Sequence, residues 1–177
     1  TIATDTYAWS IAALGPVLLE HRGMHPHQIA EFAIEHCAVT TKFNNRFGKE
    51  VTVSGFDFAK PGHTARGGII SCEWTAQMIL AFRLLSDYYA QIKDIKKASY
   101  YQAQAMNYLN ELNKMIITSP SAFGQGAWCF PYASQENVDT GHGWRTPQGS
   151  RTGSVAATAY AIFALSKTNP LALIEKQ

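Results

Sequence analysis

Three stretches of this chain repeat one short pattern: an Ala, two residues, an Ile, one residue, an Ala and then a large apolar residue. They are Ala8-Trp9-Ser10-Ile11-Ala12-Ala13-Leu14, Ala76-Gln77-Met78-Ile79-Leu80-Ala81-Phe82 and Ala159-Tyr160-Ala161-Ile162-Phe163-Ala164-Leu165. A helix that is apolar nearly all round has to be covered on several sides. Trp9, Ile11, Leu14, Ile79, Phe82, Ile162 and Leu165 are therefore expected among the most buried residues. The segments between them are of another kind. Over about 26–41, Ile29, Phe32, Ala33 and Cys37 form one stripe. Over about 94–117, Ile95, Ala98, Tyr101, Ala105, Leu109, Leu112 and Ile116 recur at helical spacing with Lys, Gln and Asn between them. The order is buried, amphipathic, buried, amphipathic, buried. It predicts antiparallel helical hairpins with three inner and two outer helices. Pro16 is expected to kink or end the first helix near Leu14.

The connections alternate in length as well. Links from a buried helix to the next amphipathic one are short, near Arg22 to His25 and Gln91 to Asp94, with Gly23 and Pro26 as stop and start signals. Links back to a buried helix span about 43–70 and 118–152 and are rich in Gly, Pro, Ser and aromatics. Loops of that length in a compact domain are usually functional or disordered. Antiparallel alternation puts both at the N-terminal ends of the buried helices. Glu50 to Phe58 alternates with period two, which suggests one small β-hairpin.

Several function classes fall away on composition. At 177 residues, 46% apolar and 16% charged, the chain has the material for one globular domain. A formal charge of +2 without basic clustering argues against a nucleic-acid partner. No apolar run is long enough to span a membrane. Cys37, Cys72 and Cys129 are widely spaced, so no zinc knuckle or CxxC redox site is expected; a Cys72–Cys129 disulfide and three free thiols both fit. The start at Thr1-Ile2-Ala3, with no initiating Met, reads as a cut or processed piece of a longer protein.

Three residues before the shared Ala stand Asp5, Glu73 and Ala156. Two carboxylates thus occupy equivalent first turns of neighbouring helices, whose axes should lie about 8–10 Å apart. An inverting glycosidase needs two carboxyls about 6.5–9.5 Å apart, one as acid and one as base for water. The plainer reading is that acids in a first turn meet the helix dipole favourably, and Asp5 can also cap its helix. The second long link holds Trp128, Phe130 and Tyr132, then Asp139, His142, Trp144 and Arg145. Aromatic platforms beside polar groups suit sugar rings, although some of these rings must simply plug the loop onto the helices. His63 and Arg66 in the first link are further candidates. His21, His25 and His27 sit at the opposite, short-loop end, where a solvated turn is the simpler reading than a metal site. Gly149 to Ser154 can bind an anion on free N–H groups but reads more simply as a helix start. No phosphate loop or nucleophile elbow is present, and no cofactor is implied.

Glu73-Trp74-Thr75-Ala76-Gln77 and Thr158 through Leu165, with their alternating partners, resemble the inner-helix texture of six-hairpin glycosidases and related α/α-toroid lyases and cyclases. That resemblance implies an arc of an α/α-toroid, with two and a half hairpins of about six and the remainder of the parent chain completing the ring. It implies a carbohydrate-processing enzyme, a glycoside hydrolase before a polysaccharide lyase, with Glu73 and Asp5 as acid and base. Trp128, Tyr132, Asp139, His142, Trp144, Arg145, His63 and Arg66 would hold the carbohydrate. A protein acting on glycans would be periplasmic or secreted. Fold class alone licenses no activity. A non-catalytic helical domain binding a glycan or a protein through its long-loop face is the other reading.

Overall fold

The structure is a computed structural model that describes residues 2–121, 124–148 and 152–172, with the side chains of 119–121 and 124–127 outside that description. It is mainly helical, with two small antiparallel hairpins. Helix α1 (Asp5–Trp9) runs into a π-helical turn (Ser10–Leu14) that stops at Gly15. There the Ser10 hydroxyl bonds the Thr6 carbonyl at 2.6 Å, a back-bond that bends helices. Gly15 has φ +76°, where a side chain would be strained, and Pro16 opens α2 (Pro16–His21). The break expected from Pro16 is present.

Helix α3 (Pro26–Cys37) ends four residues earlier than its periodicity suggests. Val39, Thr40 and Thr41 are β-branched and stiff at χ1, and they join strand β1 (Ala38–Asn44) instead. β1 pairs with β2 (Glu50–Phe56), from Ala38 opposite Phe56 to Asn44 opposite Glu50. The hairpin expected within 50–58 is thus half of a larger one. Helix α4 (Cys72–Gln91) starts on Ser71, whose hydroxyl accepts from the Trp74 amide at 3.2 Å. Helix α5 (Ile95–Asn113) starts on Asp94, which accepts from the Lys97 amide at 3.1 Å. A second hairpin, β3 (Ile117–Ser121) with β4 (Gly124–Cys129), was not expected from the sequence. Helix α6 (Val155–Ser166) is capped by the Ser154 hydroxyl at 3.2 Å from the Ala157 amide. Ser154 thus does what a helix start requires, while 149–151 of the candidate anion loop lie outside the described residues.

α4 is the centre of the molecule. It packs against α5 as a hairpin and against α1 and α6 on its flanks, with α2, α3 and β2 also touching it. Every residue from Trp74 to Phe82 is buried. The core holds Ile11, Leu19, Phe56, Ile79, Phe82, Tyr101 and Leu112, each removed from water almost completely. Each such side chain stabilises the fold by roughly 1.5–3 kcal/mol relative to exposure. α5 buries Ala98, Tyr101, Ala105, Tyr108, Leu109 and Leu112 as its stripe predicts, although Ile95 is exposed.

The flanking helices depart from expectation. Trp9, Leu14, Ile162 and Leu165 are exposed, at 44, 47, 58 and 64%. α6 turns Ala157, Ala161 and Ala164 inward and leaves its larger apolar residues outside. α3 similarly buries Pro26, Ala30, Ala33 and Cys37 and leaves Phe32 outward against Tyr7 and His36. Within this chain α1 and α6 each have α4 on one side, whereas α4 has neighbours all round. An apolar circumference is therefore a measure of neighbours wanted, and only α4 has them here.

The two long connections touch, as the loop-length alternation requires. Ser71 bridges Ala133, the Ser134 amide donates to the Ile70 carbonyl and the Ile70 amide donates to the Ser134 hydroxyl, both at 2.8 Å. The starts of α1, α4 and α6 all meet these connections: Thr4 N–H donates to Phe58, Cys72 to Tyr132 and Ser154 to Phe130. All three cysteines are free thiols, so the disulfide alternative is not realised. Among the described residues no helix is long and apolar enough to cross a membrane.

Candidate functional site

Glu73 lies in the first turn of α4 and Asp5 at the first position of α1. Thr4, not Asp5, is the N-cap of α1, and the Thr4 side chain makes no capping bond. Both carboxyls are half-buried, and burial is the main cause pushing each above its usual range. The negative charge of Asp5 raises Glu73 further, so the two acids feel one another. On Asp5 the opposing influences are the Thr6 amide and the nearby His142 ring. At the start of α1 the Thr4 amide donates to the Phe58 carbonyl at 3.1 Å, which ties Asp5 to the first long link. Tyr132 and Tyr160 both lie within the influence of Glu73, and Tyr160 also within that of Asp5. Residues from α1, α4, α6 and the second long link therefore lie near one another.

Its wall is aromatic. The His142 ring sits 5.8 Å from Trp74 and 5.4 Å from Trp144, centroid to centroid. His142 Nε2 is 2.9 Å from the Phe58 carbonyl, which fixes the ring against the first long link. The Trp144 indole N–H donates to the Tyr132 hydroxyl at 3.1 Å, and Tyr132 stacks on Phe58. Trp144 remains 42% exposed, so part of its face is open. Inside, the Gln77 amide nitrogen donates to Glu73 Oε1 at 3.1 Å, an i to i+4 pair on α4. Gln77 is buried and its carbonyl oxygen has no partner among the described residues. If the amide turns over, that orphaned oxygen can accept a hydrogen bond from the protonated carboxyl, so the pair accommodates both protonation states of Glu73.

Other predicted residues lie elsewhere or are otherwise engaged. Arg66 holds the fully buried Asp57 with both terminal nitrogens, at 2.7 and 2.8 Å, and its Nε bonds the Asp139 carbonyl. Its donors tie the two long links together. Asp139 accepts the Gly141 amide at 2.9 Å in a tight turn that presents His142. Arg145 binds back onto Asn137, by side-chain oxygen and carbonyl. His63 is exposed on a single 3-10 turn, Pro61–His63. Trp128 stands apart from the acids, with the Arg46 guanidinium 4.2 Å over its ring. His25 pairs with Glu20 and His27 with the Tyr101 hydroxyl, and no metal-holding group of three His, Cys, Asp or Glu occurs among the described residues.

Sequence reasoning missed Gln77 and Tyr160, which it read as core of repeated helices, and Trp9, exposed one turn after Asp5 on the same helix. The signal available was spacing: Asp5 to Trp9 and Glu73 to Gln77 are both i, i+4, which puts each pair on one face. The chain matches no protein-family model, no curated protein and no solved structure.

Proposed function

We propose that this chain is an α/α-toroid-like domain of a carbohydrate-processing enzyme and that it acts as a glycoside hydrolase. The observation that carries the reading is the convergence of Asp5 and Glu73, from the first turns of two adjacent helices, beside an aromatic wall with an open indole face. The toroid arrangement is supported by α4, flanked by two helices of its own pattern and backed by the amphipathic α5.

In this reading Glu73 is the general acid. Burial and the neighbouring charge hold its proton toward neutral pH, the condition for protonating a leaving glycosidic oxygen. Asp5 is the base that takes a proton from water as that water adds to the anomeric carbon. The proton given by Glu73 goes to the departing hydroxyl, so one water is consumed and the pair exchanges its protonation states. Trp144 and Tyr132 offer faces for the sugar ring, and His142 contributes a polar edge fixed by Phe58.

The test is turnover by the natural full-length protein on a panel of neutral and acidic glycans. Glu73→Gln, nearly isosteric, is expected to keep the fold and lose at least about 100-fold in kcat, the range general acid catalysis supplies. Asp5→Asn should fall similarly and His25→Ala should match the parent. Full activity in Glu73→Gln would leave the non-catalytic binding domain as the better description.

A further inference from the structure

The turn of the β1–β2 hairpin carries a cation between two exposed rings. Arg46 lies 4.2 Å over Trp128 and 4.7 Å over Phe47, and these rings are 66 and 78% exposed. A guanidinium held over aromatic rings keeps its charge and retains N–H donors that can take a carboxylate. Among the described residues no carboxylate pairs with Arg46. Of the neighbouring cations, Lys42 pairs with Glu50 at 3.6 Å and Lys114 with Glu111 at 2.6 Å, while exposed Lys49 in the same turn adds a second positive charge.

Concave surface lies on both sides of this residue. One groove of about 400 Å³ is lined by Asn44, Asn45, Arg46, Thr118 and Ser134, among others. A second of about 240 Å³ shares Asn45 and Arg46 and reaches Phe47, Lys114 and Trp128. Neither shares a residue with the Asp5–Glu73 site. Short amides and hydroxyls line the first groove, the two exposed rings border the second, and Arg46 belongs to both. The rings suit the C–H faces of sugars, the amides and hydroxyls suit sugar hydroxyls, and the guanidinium suits a carboxylate taken bidentately.

We propose that the hairpin tip is a second glycan subsite, which takes an oligosaccharide of uronic-acid units by stacking sugar rings on Trp128 and Phe47 and pairing one carboxylate with Arg46. The choice of a glycan rests on the carbohydrate reading above, whereas the position and the charge of the ligand rest on this surface alone. An acidic peptide would use the same guanidinium but leaves the hydroxyl-matching wall unused.

The experiment is titration calorimetry of the full-length protein with an oligogalacturonate, a neutral cello-oligosaccharide of equal length and polyglutamate. The oligogalacturonate is expected to bind best, with affinity falling as salt rises. Arg46→Ala and Trp128→Ala should each weaken it about tenfold or more, with Arg46→Lys intermediate because a point charge lacks the planar fork. Neutral and acidic sugars binding equally, polyglutamate binding as well as the uronate, or an unaffected Arg46→Ala would each overturn the proposal. If either alanine variant loses its fold, backbone amide shifts in the unmutated protein decide instead. They must move over 42–50, 114–118 and Trp128 on titration, and shifts confined elsewhere overturn the proposal. Glu73→Gln should retain uronate binding in full. Loss of turnover in Glu73→Gln without uronate binding sinks this subsite and leaves the acid pair standing; uronate binding with full turnover in Glu73→Gln does the reverse.

Discussion

Replacing Arg66 with Met removes the only cation, among the described residues, that touches a carboxylate with no contact with water. Asp57 is 0% exposed, and its two oxygens take four N–H donors: two from Arg66, one from Phe58 at 2.6 Å and one from Ile69 at 3.1 Å. Without the guanidinium, two backbone amides remain to hold a full buried charge. Breaking such a pair from one side costs about 3–5 kcal/mol, against total domain stabilities of about 5–15 kcal/mol. The Arg66 side chain is 12% exposed, so its vacated space admits some water and the lower part of that range, about 3 kcal/mol, is expected. For a chain of this length that corresponds to a fall in Tm of roughly 6–12 °C. Urea unfolding of parent, Arg66→Met, Asp57→Asn and the double variant measures it. Adding Asp57→Asn to Arg66→Met should recover stability, because the stranded charge is then gone. A loss below about 1 kcal/mol, the size of a surface pair, would refute the argument, and so would a double variant no better than Arg66→Met.

Burial raises the Asp5 and Glu73 carboxyls in the folded state, so the fold binds those protons more tightly than the unfolded chain does, and their contribution is fully present below the ordinary carboxylate range and lost as pH rises through the raised values. Glu73→Gln should therefore melt higher than the parent at pH 7–8 and no higher below about pH 4, and thermal melts across that range check it. Ile79→Ala should cost about 2–5 kcal/mol while Leu165→Ala costs under about 1 kcal/mol, in paired denaturant titrations. Gly55→Ala places a methyl 2.6 Å from Ile70 and 2.8 Å from the Thr75 hydroxyl, which accepts the Phe56 amide; a loss of about 1–3 kcal/mol is expected, and an unchanged urea midpoint would show that the α4 start yields easily.

The central part of the fold was legible in the sequence because α4 and α5 satisfy their own periodicity. Tyr101, Ala105, Leu109 and Leu112 mark one stripe, and the apolar run from Trp74 to Phe82 marks burial on every side. Short and long links also showed which loops would meet. The β1 strand was hidden because Thr40 and Thr41 follow Cys37 at helical spacing, and only their β-branched side chains, with that of Val39, argue otherwise. β3 and β4 were hidden in a segment whose Gly and Pro content reads as loop. Exposure of Ile162 and Leu165 was beyond periodicity, since a hydrophobic circumference states what a helix can bury and not which neighbours it has. For the candidate site, equivalent positions in two repeats led to Asp5 and Glu73. Arg66 was misjudged as free to meet a ligand because its partner Asp57 lies in an unremarkable stretch of alternating residues.

The inward face of α6 is made of three methyl groups, on Ala157, Ala161 and Ala164. Small contacts of this kind let two helix axes approach closely, and the distance between α4 and α6 sets how near Tyr160 stands to Glu73. The width of the acid site is thus governed from below by side chains that carry no chemistry. Exchanging one of these alanines for valine would move one wall of the site outward while leaving every polar group in place. In the proposed hydrolase such a seam is a spacer, through which a lineage could fit a bulkier or slimmer ligand without altering either carboxyl.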